Sequence, residues 1–402
     1  MEVPTLFVDA GNVFTDDRFN GVELPAEVMT KNKWVVKAYG EEHHDAANIS
    51  YPDLPYMADL LKKDGYDKRS DELPFMQRIV SANVQPADDT CRAPVPFVVR
   101  EITLKRGAPG KKIRVGITGL TEGKPTGPNG ERQTSFPHFK IDDPFEAAKR
   151  IIPELKKKAD FIVVLAYMPA DMTQRLASEN PDIDTIIAAR QTSSMDDPQH
   201  FNRATIVNAF VQTKYLGELR VYVKGDGTID NQINRYVQLD SNIPDDAKAL
   251  ETVNTAHTDF TNEQSKTAQA TATKTNVFGS GDSPFVGSQT CATCHAEAND
   301  VWSRSGHAHA MATLERKNEQ FDNECVGCHV VAYQKGGFQS LYTTPQLANV
   351  QCESCHGPGS DHAAAPAKGY GFMSTPVGCV QCHTKTNSPD FEFTSYWARI
   401  KH

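Results

Sequence analysis

Cys291-Ala292-Thr293-Cys294-His295, Cys325-Val326-Gly327-Cys328-His329, Cys352-Glu353-Ser354-Cys355-His356 and Cys379-Val380-Gln381-Cys382-His383 repeat one pattern four times within 93 residues. The pattern Cys-x-x-Cys-His is the attachment signature of c-type haem. Its two thiols add across the porphyrin vinyl groups, and the adjoining imidazole becomes the proximal ligand of the iron. Two intervening residues let both sulfurs reach one edge of the macrocycle while the imidazole meets the iron from one face. Eight of the nine cysteines lie in these motifs. Cys91 stands apart and is expected to be a buried or free thiol with no haem role. A zinc ribbon also uses paired Cys-x-x-Cys, but zinc does not require His directly after every second Cys. A disulfide scaffold would close four tight local loops with no core to staple. Four covalent haems are therefore the expected cofactors, anchored by Cys291, Cys294, Cys325, Cys328, Cys352, Cys355, Cys379 and Cys382.

Each iron has a second axial position, and its occupant separates electron transfer from chemistry on a bound substrate. Eight of the thirteen histidines fall in 285–402. Four are proximal: His295, His329, His356 and His383. The other four, His307, His309, His362 and His402, match the irons one for one, which fits bis-histidine ligation throughout. His362 follows Gly357-Pro358-Gly359, so the chain must reverse directly after the third motif. So short a connection cannot carry a ligand around to the far face of its own haem, and His362 is expected to serve a neighbouring one. His307 opens a helix after the first motif, and His309 faces a different side. Met311 and Met373 are thioether alternatives whose expected role is packing.

Working outward, 402 residues exceed one ordinary core, so two domains are expected. Apolar content of 39% and charge of 23% are those of a soluble protein. A net charge of −9 argues against nucleic acid or an anionic membrane as partner. No run of about 18 apolar residues is present to span a bilayer. Haem is attached to this motif outside the cytoplasm, so a periplasmic or extracellular location is expected. Met1-Glu2-Val3-Pro4 begins without a signal peptide, and the expectation is a mature or trimmed form.

Residues 1–240 alternate strands and helices. Short β-branched runs at Thr5–Val8, Phe97–Leu104, Ile113–Thr118, Phe161–Leu165, Thr185–Ala188, Ala204–Ala209 and Gly217–Val223 read as strands. Three- and four-residue apolar spacing marks helices at Pro25–Gly40, Leu54–Lys63, Pro144–Lys158 and Ala170–Glu179. Alternation of this kind points to a layered α/β domain. Residues 241–284 read as a polar helix (245–270) and a Thr/Gly/Ser-rich linker (Thr271–Ser283). From 285 to 402 short helical pieces are separated by Gly and Pro, with little apolar core. Porphyrin faces would supply the missing buried surface, and this part is expected to be unfolded without haem.

The 285–402 segment resembles the nitrifier tetrahaem cytochrome family, of cytochrome c-554 type. The resemblance rests on Cys-x-x-Cys-His-x6-Trp-x2-Ser-x-His at 291–307, on Cys-Glu-Ser-Cys-His-Gly-Pro-Gly-Ser-Asp-His at 352–362, and on the last motif followed by Phe391, Tyr396-Trp397 and His402. It implies electron transfer through closely stacked haems, mostly bis-His, and leaves room for one five-coordinate iron without saying which.

Residues 1–240 resemble the metallophosphoesterase domain of the 5′-nucleotidase family. The matching pieces are Phe7-Val8-Asp9-Ala10-Gly11-Asn12, His44-Asp45-Ala46-Ala47-Asn48, Ser81-Ala82-Asn83-Val84, Val115–Thr121, Phe161–Leu165, Asp182–Ile187 and Lys214–Leu219. That resemblance implies two metal ions held by Asp, Asn and His at strand ends to activate a water. The ligand types are missing here. The opening Asp-x-His strand is absent, Asn12 replaces the bridging Asp, and Ser50-Tyr51-Pro52-Asp53 replaces Gly-Asn-His-Glu/Asp. Tyr167 replaces one His, and Ala189-Arg190-Gln191-Thr192 replaces Gly-His-x-His. Only Asp53 keeps a metal-binding side chain, and one carboxylate does not hold two ions. The remaining histidines, His43, His44, His138, His200 and His257, read as surface or structural, with His43-His44 the pair to check for an interdomain haem ligand. Asp16-Asp17 and Asp196-Asp197 read as solvated loops.

The expected fold is thus an α/β layered metallophosphoesterase-like domain followed by a mainly α-helical, irregular multihaem cytochrome c domain. The leading function is a non-enzymatic electron carrier whose partners are other redox proteins or neighbouring copies of itself, up to a homo-oligomer or filament. A reductase of a small nitrogen or sulfur oxyanion is the alternative, opposed by the four spare histidines. A nucleotide phosphohydrolase with a redox appendage is opposed by the missing ligands.

Overall fold

The computed structural model describes every residue except 1–2, 15–23, 70–71, 106–108, 128–129, 191–197, 209–214, 241, 275–282, 372–377 and 386. Asp16-Asp17, Asp196-Asp197, Gln191, Thr192, Ala209, Lys214 and Met373 therefore lie outside the described residues. The chain divides into two compact units, Met1–Thr252 and Val253–His402. The division falls inside one long helix, Ala247–Lys274. Thr271–Lys274, assigned to a linker from composition, are its last turn, because the stretch holds neither Gly nor Pro to stop the helix. The remainder of that linker up to 282 is not described.

The first unit is centred on a six-stranded sheet ordered Gln199–Phe201, Ala204–Asn208, Thr185–Ala189, Phe161–Tyr167, Lys112–Thr121 and Phe97–Thr103. Its four central strands are parallel and its two edge strands antiparallel to their neighbours. Phe161–Tyr167 is buried at every position, as a strand must be when both faces of a parallel sheet are covered. Its side chains alternate between two cores. Phe161, Val163, Leu165 and Tyr167 join Ile49, Leu54, Met57 and Ile79. Ile162, Val164 and Ala166 join Ile151 and Leu155 of helix Pro144–Lys158 and Leu176 of helix Ala170–Glu179.

A three-stranded parallel sheet, Val8–Asp9, Ala46–Asn48 and Ile79–Val80, lies on the first of these faces. Two glycines of Lys112–Thr121 permit the close layering. A Cβ at Gly119 would collide with Asn48 Oδ1, and one at Gly116 would lie 2.7 Å from Leu155 Cδ2 on the opposite face. Helix Pro144–Lys158 starts where its sequence says it should: Asp143 accepts from the N–H of Phe145 and Glu146, and Pro144 sits at the first helical position.

Several strands differ from expectation, among them the short strands Ala46–Asn48, Ile79–Val80 and Gln199–Phe201, which were not read from the sequence. The strand expected at Thr5–Val8 forms only at Val8–Asp9, since its partner Ala46–Asn48 offers a short edge. A second hairpin strand, Ile229–Gln238, pairs antiparallel with Tyr215–Val223 and was not read from the sequence.

The second unit contains short helices, the longest of its own being Ala296–Ser303 and Ala310–Lys317 at eight residues each. Its buried apolar cluster is small: Met311, Leu314, Val326, Val330, Val331, Phe338 and Leu347. Met311 is spent on that packing. Among the described residues, no helix is long and apolar enough to cross a membrane.

Candidate haem-binding site

Local backbone geometry in the four motifs follows from their spacing. In the first and last, the His N–H donates to the carbonyl of the first Cys of its own motif, at 2.9 Å in both His295 and His383. One turn of this kind puts the two thiols and the imidazole on one side of the chain. None of the nine cysteines is paired in a disulfide.

Long-range folding then brings imidazoles from distant segments opposite one another. The ring centroids of His295 and His362 are 6.1 Å apart, those of His307 and His383 6.1 Å, and those of His356 and His402 5.8 Å. Two imidazoles that bind one metal through bonds of about 2 Å place their centroids roughly 6 Å apart. Each pair joins a proximal histidine to a distal candidate from another part of the chain. Among the described residues, His329 has no such partner, and His309 is exposed.

The ring nitrogen not needed by a metal is satisfied in three proximal histidines. His329 Nδ1 lies 2.7 Å from the Ala310 carbonyl oxygen, His356 Nδ1 2.5 Å from that of Gly371, and His383 Nδ1 3.0 Å from Ser388 Oγ. Such contacts fix the tautomer that leaves Nε2 free to ligate and orient the ring. Aromatic neighbours add to the orientation: Phe391 stacks on His383 at 4.6 Å and Tyr370 on His362 at 4.7 Å. Burial holds His307 and His383 below the ordinary histidine range, favouring the neutral form that binds iron.

The thiols of different motifs also meet. The Cys291 thiol lies near that of Cys352, and the Cys382 thiol near that of Cys328. Cys355 is exposed as a residue, but desolvation of its sulfur, and then the nearby Cys379, push the thiol up. These contacts link the motifs in the order first, third, fourth, second. Free paired thiols, imidazoles at metal-bridging spacing and satisfied Nδ1 atoms together fit covalently attached haem.

Sequence reasoning missed the residues that clamp this arrangement. Gln351 Nε2 donates to the Gln346 and Ala348 carbonyls, and its Oε1 accepts from the Ser288 N–H. Glu353, a variable position within the third motif, is buried and accepts from backbone N–H groups on either side. A polar residue just before or within a motif whose neighbours are small was the only sign available.

The first unit has a second cluster of interest, where the resemblance placed metal ligands. Asp53 is fully engaged by the chain itself. Its Oδ1 accepts from the N–H of Val13 and Phe14, and its Oδ2 from the N–H of Asn12 and Ser50 and from Ser50 Oγ. Tyr51 and Tyr167 meet edge to face at 5.7 Å. Arg190 reaches over Tyr51 at 5.8 Å and pairs with buried Glu122, which also binds Arg132 at 2.8 Å. Two phenol rings and a guanidinium thus pack together around Tyr51. Glu122 was not singled out from sequence, since Thr121-Glu122-Gly123 carries no motif.

His44 stacks on Tyr39 at 4.0 Å and is held below the ordinary histidine range by burial. Its contacts within this unit are those of a packing residue. His138 pairs with Asp88 at 2.9 Å, His200 lies 3.3 Å from Thr205 Oγ1, and Cys91 is buried against the Ala58 carbonyl.

A family model described as cytochrome c554 and c-prime matches residues 290–357. Cytochrome c-554 of Nitrosomonas europaea is 38% identical over 129 residues, covering 28% of this chain and 55% of that protein. The chain thus spans about half the length of the curated relative it matches. Among solved structures, the calcineurin-like phosphoesterase YfkN from Bacillus subtilis is similar over 63% of this chain and 83% of its own, at 18% identity and a TM-score of 0.47. A 5′-nucleotidase precursor from Thermus thermophilus is similar over 64% and 50%, at 21% identity and a TM-score of 0.42. Fold and motifs define a protein with a layered α/β unit followed by a short-helical unit that carries four Cys-x-x-Cys-His motifs. Its C-terminal part resembles the cytochrome c-554 family.

Proposed function

We propose that the chain is a four-haem electron carrier acting outside the cytoplasm, with three bis-histidine irons and one iron held by histidine on one side only. Haem supplies a one-electron Fe(III)/Fe(II) couple when bound. The chain supplies attachment through the eight motif cysteines and axial ligation through the pairs His295/His362, His307/His383 and His356/His402. His329, oriented by the Ala310 carbonyl, serves the remaining iron. The imidazole spacing carries this reading: three independent pairs fall within a few tenths of an ångström of one value.

Low-temperature EPR of purified protein tests the assignment. Three low-spin signals and one high-spin signal are expected, and His362→Ala should convert one low-spin iron to high spin. A variant spectrum identical to wild type would make His362 a surface histidine.

An oxyanion reductase needs an open iron position, and the His329 iron is where such activity would reside. Electron carriage is favoured because three of the four irons are closed by histidine. Partners are other redox proteins or further copies of the chain, which an acidic surface would steer toward basic surfaces.

The first unit is inferred to have no phosphoesterase activity. Asp53 is committed to five donors, and Asn12, Tyr51, Pro52, Tyr167 and Arg190 stand at other positions the resemblance assigns to metal ligands. Incubation with nucleotide monophosphates and manganese or zinc should give no turnover. Chelator-sensitive hydrolysis would show that the ligand positions have been misplaced.

A further inference from the structure

Glu353 is 5% exposed, sits between the thiols of the third motif, and belongs to none of the attachment or axial roles. Its Oε1 accepts from the N–H of Val286 at 3.0 Å and Gly359 at 2.7 Å, and its Oε2 from Val286 at 3.1 Å and Gly287 at 2.7 Å. Among the described residues, no Lys, Arg or His forms an ion pair with it. The donors come from two places that matter. Val286-Gly287 leads into helix Ser288–Ala292, which begins the first motif. Gly359 closes the turn that delivers His362 opposite His295.

The two glycines each suit this region for a different reason. Gly287 has φ +81, and a Cβ at Gly359 would press to 3.1 Å from Glu353 Oε1. Beside the carboxylate, Cys352 of the third motif meets Cys291 of the first. A single acidic side chain thus ties together the first motif, the third motif and the distal ligand of the first. An acceptor-only carboxylate matches a cradle made wholly of N–H donors. A fixed negative charge buried without a cation favours the oxidised, more positive state of iron nearby, because low-dielectric surroundings screen it weakly.

We propose that Glu353 is the positioning residue that locks the first and third haem sites to each other, and that its buried charge holds the reduction potentials of both down. The proposal rests on the electron-carrier reading. That reading is checked separately by whether the wild-type protein shows four reducible haems at all.

The test is spectroelectrochemical titration of the intact holoprotein with Glu353→Gln and Glu353→Asp. The Gln variant should raise the potentials of two haems and leave the other two unchanged, with four haems still attached. The Asp variant, which keeps the charge, should stay near wild type. Unchanged potentials in Glu353→Gln, or equal rises in both variants, would overturn the role of the charge. If only the Asp variant assembles, wild-type potentials support the proposal and raised ones overturn it. If neither assembles, Glu353 is a folding contact alone and the proposal fails.

Discussion

Asp53 is a single buried carboxylate that organises two segments of the first unit. Its carboxylate accepts four backbone N–H groups and one hydroxyl, tying the turn after Val8–Asp9 to the start of helix Leu54–Leu60. Removing it strands several buried donors, each costing about 1–3 kcal/mol when left unpaired. Asp53→Ala should therefore destabilise the first unit by about 3 kcal/mol or more. Calorimetry of the full chain would show this as a lowered melting transition; a loss below about 0.5 kcal/mol, the range of ordinary surface substitutions, would show that other groups satisfy those donors. The replacements at Tyr51, Tyr167 and Arg190 were legible from motif comparison alone. Their mutual packing was not, because it joins residues more than 100 positions apart and depends on Glu122. The motif histidines were likewise visible as five-residue motifs. The pairing of imidazoles was hidden in long-range folding, as with His307 and His383, and His309 is exposed.

At the scale of elements, central strands were read well because burial on both faces demands unbroken apolar runs, as in Phe161–Tyr167. Ile229–Gln238 escaped because Asn231, Gln232, Asn234, Arg235 and Gln238 dilute its pattern, and only one face of the hairpin packs on a core. In the second unit, end-capping substitutes for length. Helix Phe393–Trp397 is capped by Glu392, whose carboxylate accepts from the N–H of Thr394 and Ser395. Those backbone donors hold the Glu392 carboxyl down to about 2. An unfolded glutamate titrates near about 4.3. The sign follows directly: the depressed group adds stability above pH of about 4.3, and that contribution is lost as pH falls through about 2. The stability difference between wild type and Glu392→Gln should be constant at neutral pH and disappear by pH of about 2. Thermal melts across that window check it, and a difference that persists unchanged to pH of about 2 would contradict the cap.

At the scale of the whole molecule, two units of different character share one chain. Among the described residues, the first is held by two extensive apolar cores and the second by the smaller Met311-centred cluster. Composition foretold this contrast, since 285–402 trades apolar side chains for Cys, His, Gly and Pro. The second unit instead brings motif imidazoles together in pairs, and the proposed function rests on four covalent haems attached at its motifs. Intact mass of the denatured protein tests that premise most directly. A mass equal to the polypeptide plus four haems is predicted, surviving acid and solvent because the thioethers are covalent. A bare polypeptide mass, or one carrying fewer than four haems, would contradict it.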